Sequence, residues 1–154
     1  AGRRTKFGTA RRNLQEEIRA MQAGLAPGQV RRGLHVLKDF MPLVLDFLSA
    51  MGQDMLVAEP LAYHDAIIFE KHGFNYMRGK KKMEDINRGF QPGGELYRKL
   101  DGSTPFRMPG AEKTVRGRSW AIHDGILGEP WKDVEMYRSL DQPAEICTFP
   151  GWVY

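Results

Sequence analysis

The stretch from Arg31 to Tyr76 decides the reading of this chain: RRGLHVLKDFMPLVLDFLSAMG (31–52), QDMLVAEP (53–60), LAYHDAIIFEKHG (61–73) and FNY (74–76). At 100° per residue, His35, Lys38, Asp39, Pro42, Asp46 and Ser49 fall in one arc of about 100°, and every other residue from Leu34 to Met51 is apolar. A helix with so narrow a wet face is expected to be packed on most of its circumference, against a sheet and between other elements. Pro42 lies inside the wet arc, where the Lys38 carbonyl it leaves unbonded meets water, so the helix should kink modestly and not break.

Gly52 ends that helix as a C′ residue, and the apolar run Met55 to Ala58 predicts a short strand covered on both faces. Pro60 stops the ladder. Leu61 to His72 restarts as helix and closes on Gly73 with Phe74 behind it, the pattern of a Schellman cap and its hydrophobic contact. Strand, helix and strand at this spacing predict the α/β class, with a parallel or mixed sheet and a right-handed crossover.

Outward from this core, residues 1–9 read as a basic flexible arm. Arg11 to Ala23 reads as an amphipathic docking helix with a Leu14, Ile18 and Met21 stripe and an Arg12 to Glu16 pair. On the other side, Met83, Ile86 and Phe90 have helical spacing, and Glu95 to Leu100 predicts one more helical piece. Asp101 to Gly110 is a Gly- and Pro-dense loop. The alternation of Arg118 to His123 predicts a strand, Asp124-Gly125 a turn, and Val134 to Leu140 a returning strand. One α/β domain is expected over 10–140, with its core in 31–79. The tail, 141–154, carries Phe149, Trp152 and Tyr154, too apolar to stay in water, and should pack on the domain or on another chain.

The 154 residues suit one domain with a real core. No apolar run approaches the length that crosses a bilayer, no secretory leader pattern opens the chain, and a single cysteine, Cys147, excludes an internal disulfide. Cytoplasm is the expected compartment, and no membrane partner is expected. The chain opens on Ala1 and not on Met, which suggests processing or a partial product. Lys and Arg number 23 against 19 acidic residues, and the excess is early: Arg3, Arg4, Lys6, Arg11, Arg12, Arg19, Arg31 and Arg32 face only Glu16 and Glu17. Such an arm suits nucleic acid, an acidic protein or an anionic cofactor, or is simply a solvated tail. Only Phe7 offers a ring among these charges, so nucleic acid is not the favoured partner.

The order of elements in Arg31 to Tyr76, with the string FEKHGF at Phe69 to Phe74, resembles the C-terminal part of the GNAT superfamily of acyl-CoA N-acyltransferases over about a third of the chain. The resemblance implies a GNAT-like mixed sheet flanked by helices, with additional C-terminal helices and loops. It also implies a coenzyme A pyrophosphate at a helix N-terminus, here near Arg31, Arg32, Gly33 and Leu34, so that acetyl-CoA or another acyl-CoA is the expected cofactor. Of the family's loop pattern only Gly33 is matched. Phe69 stands where the family commonly has the tyrosine that protonates the departing thiolate. Glu59, at a strand's carboxyl end, and His123 are the residues expected to work on an amine substrate. The implied activity is transfer of an acyl group from coenzyme A to an amine.

The family also builds several antiparallel strands where this chain has some thirty residues that read as helix. A half-built sheet exposes an edge. The alternative reading is therefore a non-catalytic GNAT-derived subunit or scaffold in a larger protein complex, using its basic N-terminal arm and aromatic tail for partner binding; a homo- or hetero-oligomer is expected through the exposed sheet edge, the arm or the tail. The pairs His64-Asp65 and His123-Asp124 are read as helix-end and turn residues, and no metal is expected from their spacing. Asp101 to Thr104 is a turn without a phosphate-binding lysine, and Ser119 and Cys147 have no base beside them in sequence.

Overall fold

A computed structural model describes residues 12–33 and 36–154. The arm expected over 1–9, and Leu34 of the expected cofactor loop, lie outside the described residues. The elements in order are helices α1 (Leu14–Gln22) and α2 (Leu37–Ala50), strand β1 (Met55–Ala58), α3 (Tyr63–Lys71), β2 (Asn75–Arg78), α4 (Lys80–Gly89), α5 (Glu95–Arg98), a 3-10 turn (Ala111–Lys113), α6 (Val115–His123) and β3 (Glu135–Ser139). This mixture of helix and sheet is of the α/β kind.

The sheet departs from the expected pairing. Among the described residues its order is β1-β3-β2, and both ladders are antiparallel, with Val57 opposite Tyr137 and Tyr76 opposite Met136. The crossover through α3 leaves β1 and β2 pointing the same way but one strand apart, and β3, arriving much later in sequence, fills the gap. Alternation along β3 suits the central place: Met136 and Arg138 are buried, while Glu135, Tyr137 and Ser139 are half-buried.

Capping chemistry fixes the helix ends. The Gly52 backbone, at φ +71°, turns α2 back toward β1. At the end of α3 the Phe74 N–H donates to the Phe69 carbonyl at 3.1 Å, and the two rings stack 4.9 Å apart, which is the Schellman closure read from FEKHGF. Gly73 has φ +80°, and a Cβ there would meet Pro143 at 2.7 Å and the Arg138 Nε at 2.9 Å. That guanidinium fills the space in order to donate to the His72 carbonyl at 3.1 Å. The helix α2 runs unbroken through Pro42.

Arg118 to His123 is helix and not strand. Thr114 caps α6 by accepting from the Gly117 N–H at 2.9 Å, and the helix is buried from Arg118 to Ile122. Burial on all sides erases the helical stripe, so the alternation of Trp120 with Ala121 and Ile122 carried no facing information. Gly125, expected in a hairpin turn, instead ends α6: the Ile126 N–H reaches back to the Ala121 carbonyl at 3.1 Å. Around α3 and α6 the core gathers Tyr63, Ala66, Ile67, Phe74, Met83, Phe90, Val115 and Met136.

The C-terminal tail is bound to the body. The Thr148 N–H and hydroxyl donate to Glu70 at 2.9 and 2.6 Å, and the Arg118 guanidinium lies 3.4 Å from the Phe149 ring centre. Lys71 covers Trp152 at 5.3 Å, and Val153 accepts from the Val115 N–H at 2.8 Å.

Candidate functional site

At the expected cofactor loop Arg31, Arg32 and Gly33 are exposed, and among the described residues nothing lies within 4 Å of where a Gly33 Cβ would be. The helix that should present its N-terminus begins at Leu37, behind a Val36 cap that offers no side-chain oxygen. The two residues expected to work on an amine have different surroundings. Glu59 is exposed just after β1, next to Pro60, whose carbonyl takes the Trp131 indole N–H at 2.9 Å. His123 is the last residue of α6, not the end of a strand, with its Nε2 3.3 Å from Glu17 on α1 and its ring edge-on to Trp120.

At the position where the resemblance expects an acid, Phe69 stacks on Phe74 and has no proton to give. The neighbouring tyrosines, Tyr63 and Tyr76, are buried. Burial pushes the Tyr63 phenol up to about 12. The Tyr76 phenol is pushed up by burial and by Glu70, to which its hydroxyl donates at 2.5 Å. Glu70 is itself held above the ordinary carboxylate range by burial, against hydrogen bonds from Thr148 and Tyr76. This cluster ties β2 and the tail to α3.

A second arrangement was only half visible in the sequence. His64 Nδ1 lies 2.9 Å from the Ser119 Oγ, and His64 Nε2 lies 3.3 Å from Asp65 Oδ1, giving the order hydroxyl, imidazole, carboxylate. Nucleophilic catalysis needs the hydroxyl to meet a substrate, yet Ser119 is 1% and His64 4% exposed. Burial lowers the His64 pKa despite Asp65, so the ring is a neutral link between α3 and α6. The HD pair hinted at it, but Ser119 is fifty-five residues away and only packing brings it close.

A third cluster joins the chain's start to the end of α6. Arg12 reaches Glu17 at 2.5 Å and Asp124 at 2.6 Å, while Arg107 and Thr104 both bond Asp124 at 2.8 Å. Burial opposes the Asp124 charge, but Arg12, Thr104 and Arg107 outweigh it and hold the carboxyl below its ordinary value. Thus α1 docks by ions as well as by its stripe, whose Leu14 remains exposed and whose Arg12 partner is Glu17 in place of Glu16.

The most unusual surface is on α2. Val36, Phe40, Leu43, Phe47 and Met51 are all exposed, Phe47 at 64%, and at 100° per residue they form one stripe about 80° wide. The face that does pack carries Leu37, Met41 and Leu45. The expectation of a helix covered on most of its circumference is therefore met on one face only. Beside it β1 is exposed at Met55 and Val57, so this strand is not covered on both sides. Its outer edge bears no charge, Pro or bulge before Glu59. The other edge strand, β2, has Arg78 and a register shift after Tyr76.

Among the described residues no group of three or more His, Cys, Asp or Glu is placed to hold a metal ion, and no helix is long and apolar enough to cross a membrane. Comparison with protein-family models, with characterised proteins and with solved structures finds no match to this chain.

Proposed function

We propose that this chain is a non-catalytic protein-binding subunit on a GNAT-derived core, and that it works by pairing with a second copy of itself through the α2 stripe and the β1 edge. One observation carries the reading: the apolar arc of α2 is nearly twice as wide as the part this chain covers. Burying each such side chain is worth about 1.5–3 kcal/mol, so four or five of them left in water favour any surface that covers them. A second copy fits because a strand edge pairs with itself across a twofold axis, and the contrast between bare β1 and guarded β2 supports one pairing edge. Phe69, which has no proton to give, and the burial of Tyr63 and Tyr76 support a non-catalytic reading. The tail is engaged with the body, which moves the pairing role to α2 and β1.

The test is a pair of surface variants. Leu43→Asp with Phe47→Asp, and separately Val57→Lys, should each convert a dimer to a monomer while the circular dichroism spectrum is retained. A dimer that survives both would remove the proposal.

A catalytic reading, an acyl-CoA-dependent N-acyltransferase, draws support from the order long helix, strand, helix, strand and from the exposed Arg31 and Arg32 ahead of α2. On that reading acetyl-CoA binds saturably in calorimetry and Gly33→Glu abolishes the binding. On the reading we favour, the titration is flat with either protein.

A further inference from the structure

A groove of about 340 Å³ opens between α1, the 105–111 loop, the first turn of α6 and the C-terminal residue. Its walls are apolar and partly flexible, from Met21, Phe106, Met108, Trp120 and Tyr154, with Phe106 stacked on Trp120 at 5.1 Å. The size lies at the lower end of the usual range for small-molecule sites, about 300–1,000 Å³.

One end of this groove carries arginine side chains. Arg116 lines it with its guanidinium 5.2 Å from the Tyr154 ring centre, and its Nε is buried with no hydrogen-bond partner. The Arg116 Nη1 and the Arg32 Nη2 lie 3.5 and 3.9 Å from where a Cβ on Gly24 would sit, so two guanidinium groups share a few ångströms of surface. Elsewhere Arg12, Arg19, Arg78, Arg88 and Arg107 each meet a carboxylate, and Arg118 and Arg138 bond carbonyls. Among the described residues neither Arg116 nor Arg32 has an ion pair. Arg116 also stands in the first turn of α6, where the helix field favours an anion.

We propose that this groove is a ligand site for an amphiphile with an alkyl chain and an anionic head. The chain lies against the methionines and stacked rings, where thioethers adapt to an unbranched chain. The head sits at Arg116 and Arg32, with the planar Arg116 fork suited to a carboxylate or a phosphate. The site is separate from the α2 stripe and from the expected coenzyme A loop at Gly33, and does not rest on the pairing proposed above.

Trp120 offers a local probe, because its indole N–H donates to the Leu25 carbonyl at 2.8 Å and its ring lines the groove, while Trp131 and Trp152 lie outside it. The full chain is titrated below the micelle limit with decanoate, decyl phosphate and decanol, followed by the three indole resonances and by calorimetry. Saturable shifts of the Trp120 signal with an anionic probe, binding about tenfold or more tighter than decanol, and loss of that preference in Arg116→Gln support the site. Tighter binding of decanoate assigns a fatty carboxylate, and of decyl phosphate a phosphorylated lipid. Met108→Trp, a change at an exposed rim position, should block the anionic probe even where Arg116→Gln folds poorly. An unmoved Trp120 signal, decanol binding as tightly as the anions, or unchanged affinity in Arg116→Gln or in Met108→Trp would overturn the proposal.

Discussion

His64 shows how burial turns a reactive-looking residue into a structural one. Its imidazole is neutral in the fold because burial lowers its pKa, whereas in the unfolded chain it titrates near 6.5. Below that value the unfolded chain takes up a proton that the folded one refuses. Stability from this group is therefore complete above 6.5 and declines as pH falls below it, with a slope of at most about 1.4 kcal/mol per pH unit. Urea unfolding at a series of pH values should show this decline, and His64→Gln, which keeps a donor and an acceptor toward Ser119, should reduce it, leaving the part due to His72, whose pKa burial and Lys71 also lower. An unchanged slope in the variant would place the titration elsewhere. At this scale the sequence was least legible. Phe69 could be read as a missing acid because FEKHGF is local, but His64 beside Ser119, Thr148 beside Glu70 and Arg12 beside Asp124 come from segments many residues away and have no signature in one sequence.

At the scale of elements, legibility followed amphipathicity. The helix spaced by Met83, Ile86 and Phe90 and the alternating strand β3 each show one face to water, so periodicity reveals them. The helix α6 does not, and its buried middle imitates a strand. Its decisive signal was the Thr114 cap, two residues before Arg116 and outside the span that alternates. Sheet order was hidden for another reason: β1 and β2 sit in one crossover unit, and nothing in either names β3 as the strand between them. Gly117 tests the packing of α6. Alanine in a helix is normally better than glycine by about 1 kcal/mol, but a Cβ here would lie 2.4 Å from the Ala111 carbonyl oxygen, a backbone atom. Gly117→Ala should therefore cost about 1–3 kcal/mol by denaturant unfolding, and a stabilised variant would contradict the close approach of the 3-10 turn to α6.

For the whole molecule, the helical wheel of α2 predicted a helix packed on most sides, against a sheet and between other elements of this chain. This chain meets that expectation on one face, and the remaining apolar arc beside an uncharged strand edge is what the proposed pairing would cover. The positions to perturb are exposed, so Leu43→Asp and Phe47→Asp should leave the stability of a single chain within about 0.5 kcal/mol while removing apolar contact from the pairing face. The most direct measurement is the mass of the wild-type chain by light scattering over a dilution series, with the doubly substituted chain beside it. The account predicts the mass of two chains that falls toward one on dilution, and one chain at every concentration for the variant. A wild-type chain that remains single at all concentrations, or a variant that dimerises as the wild type does, would contradict it.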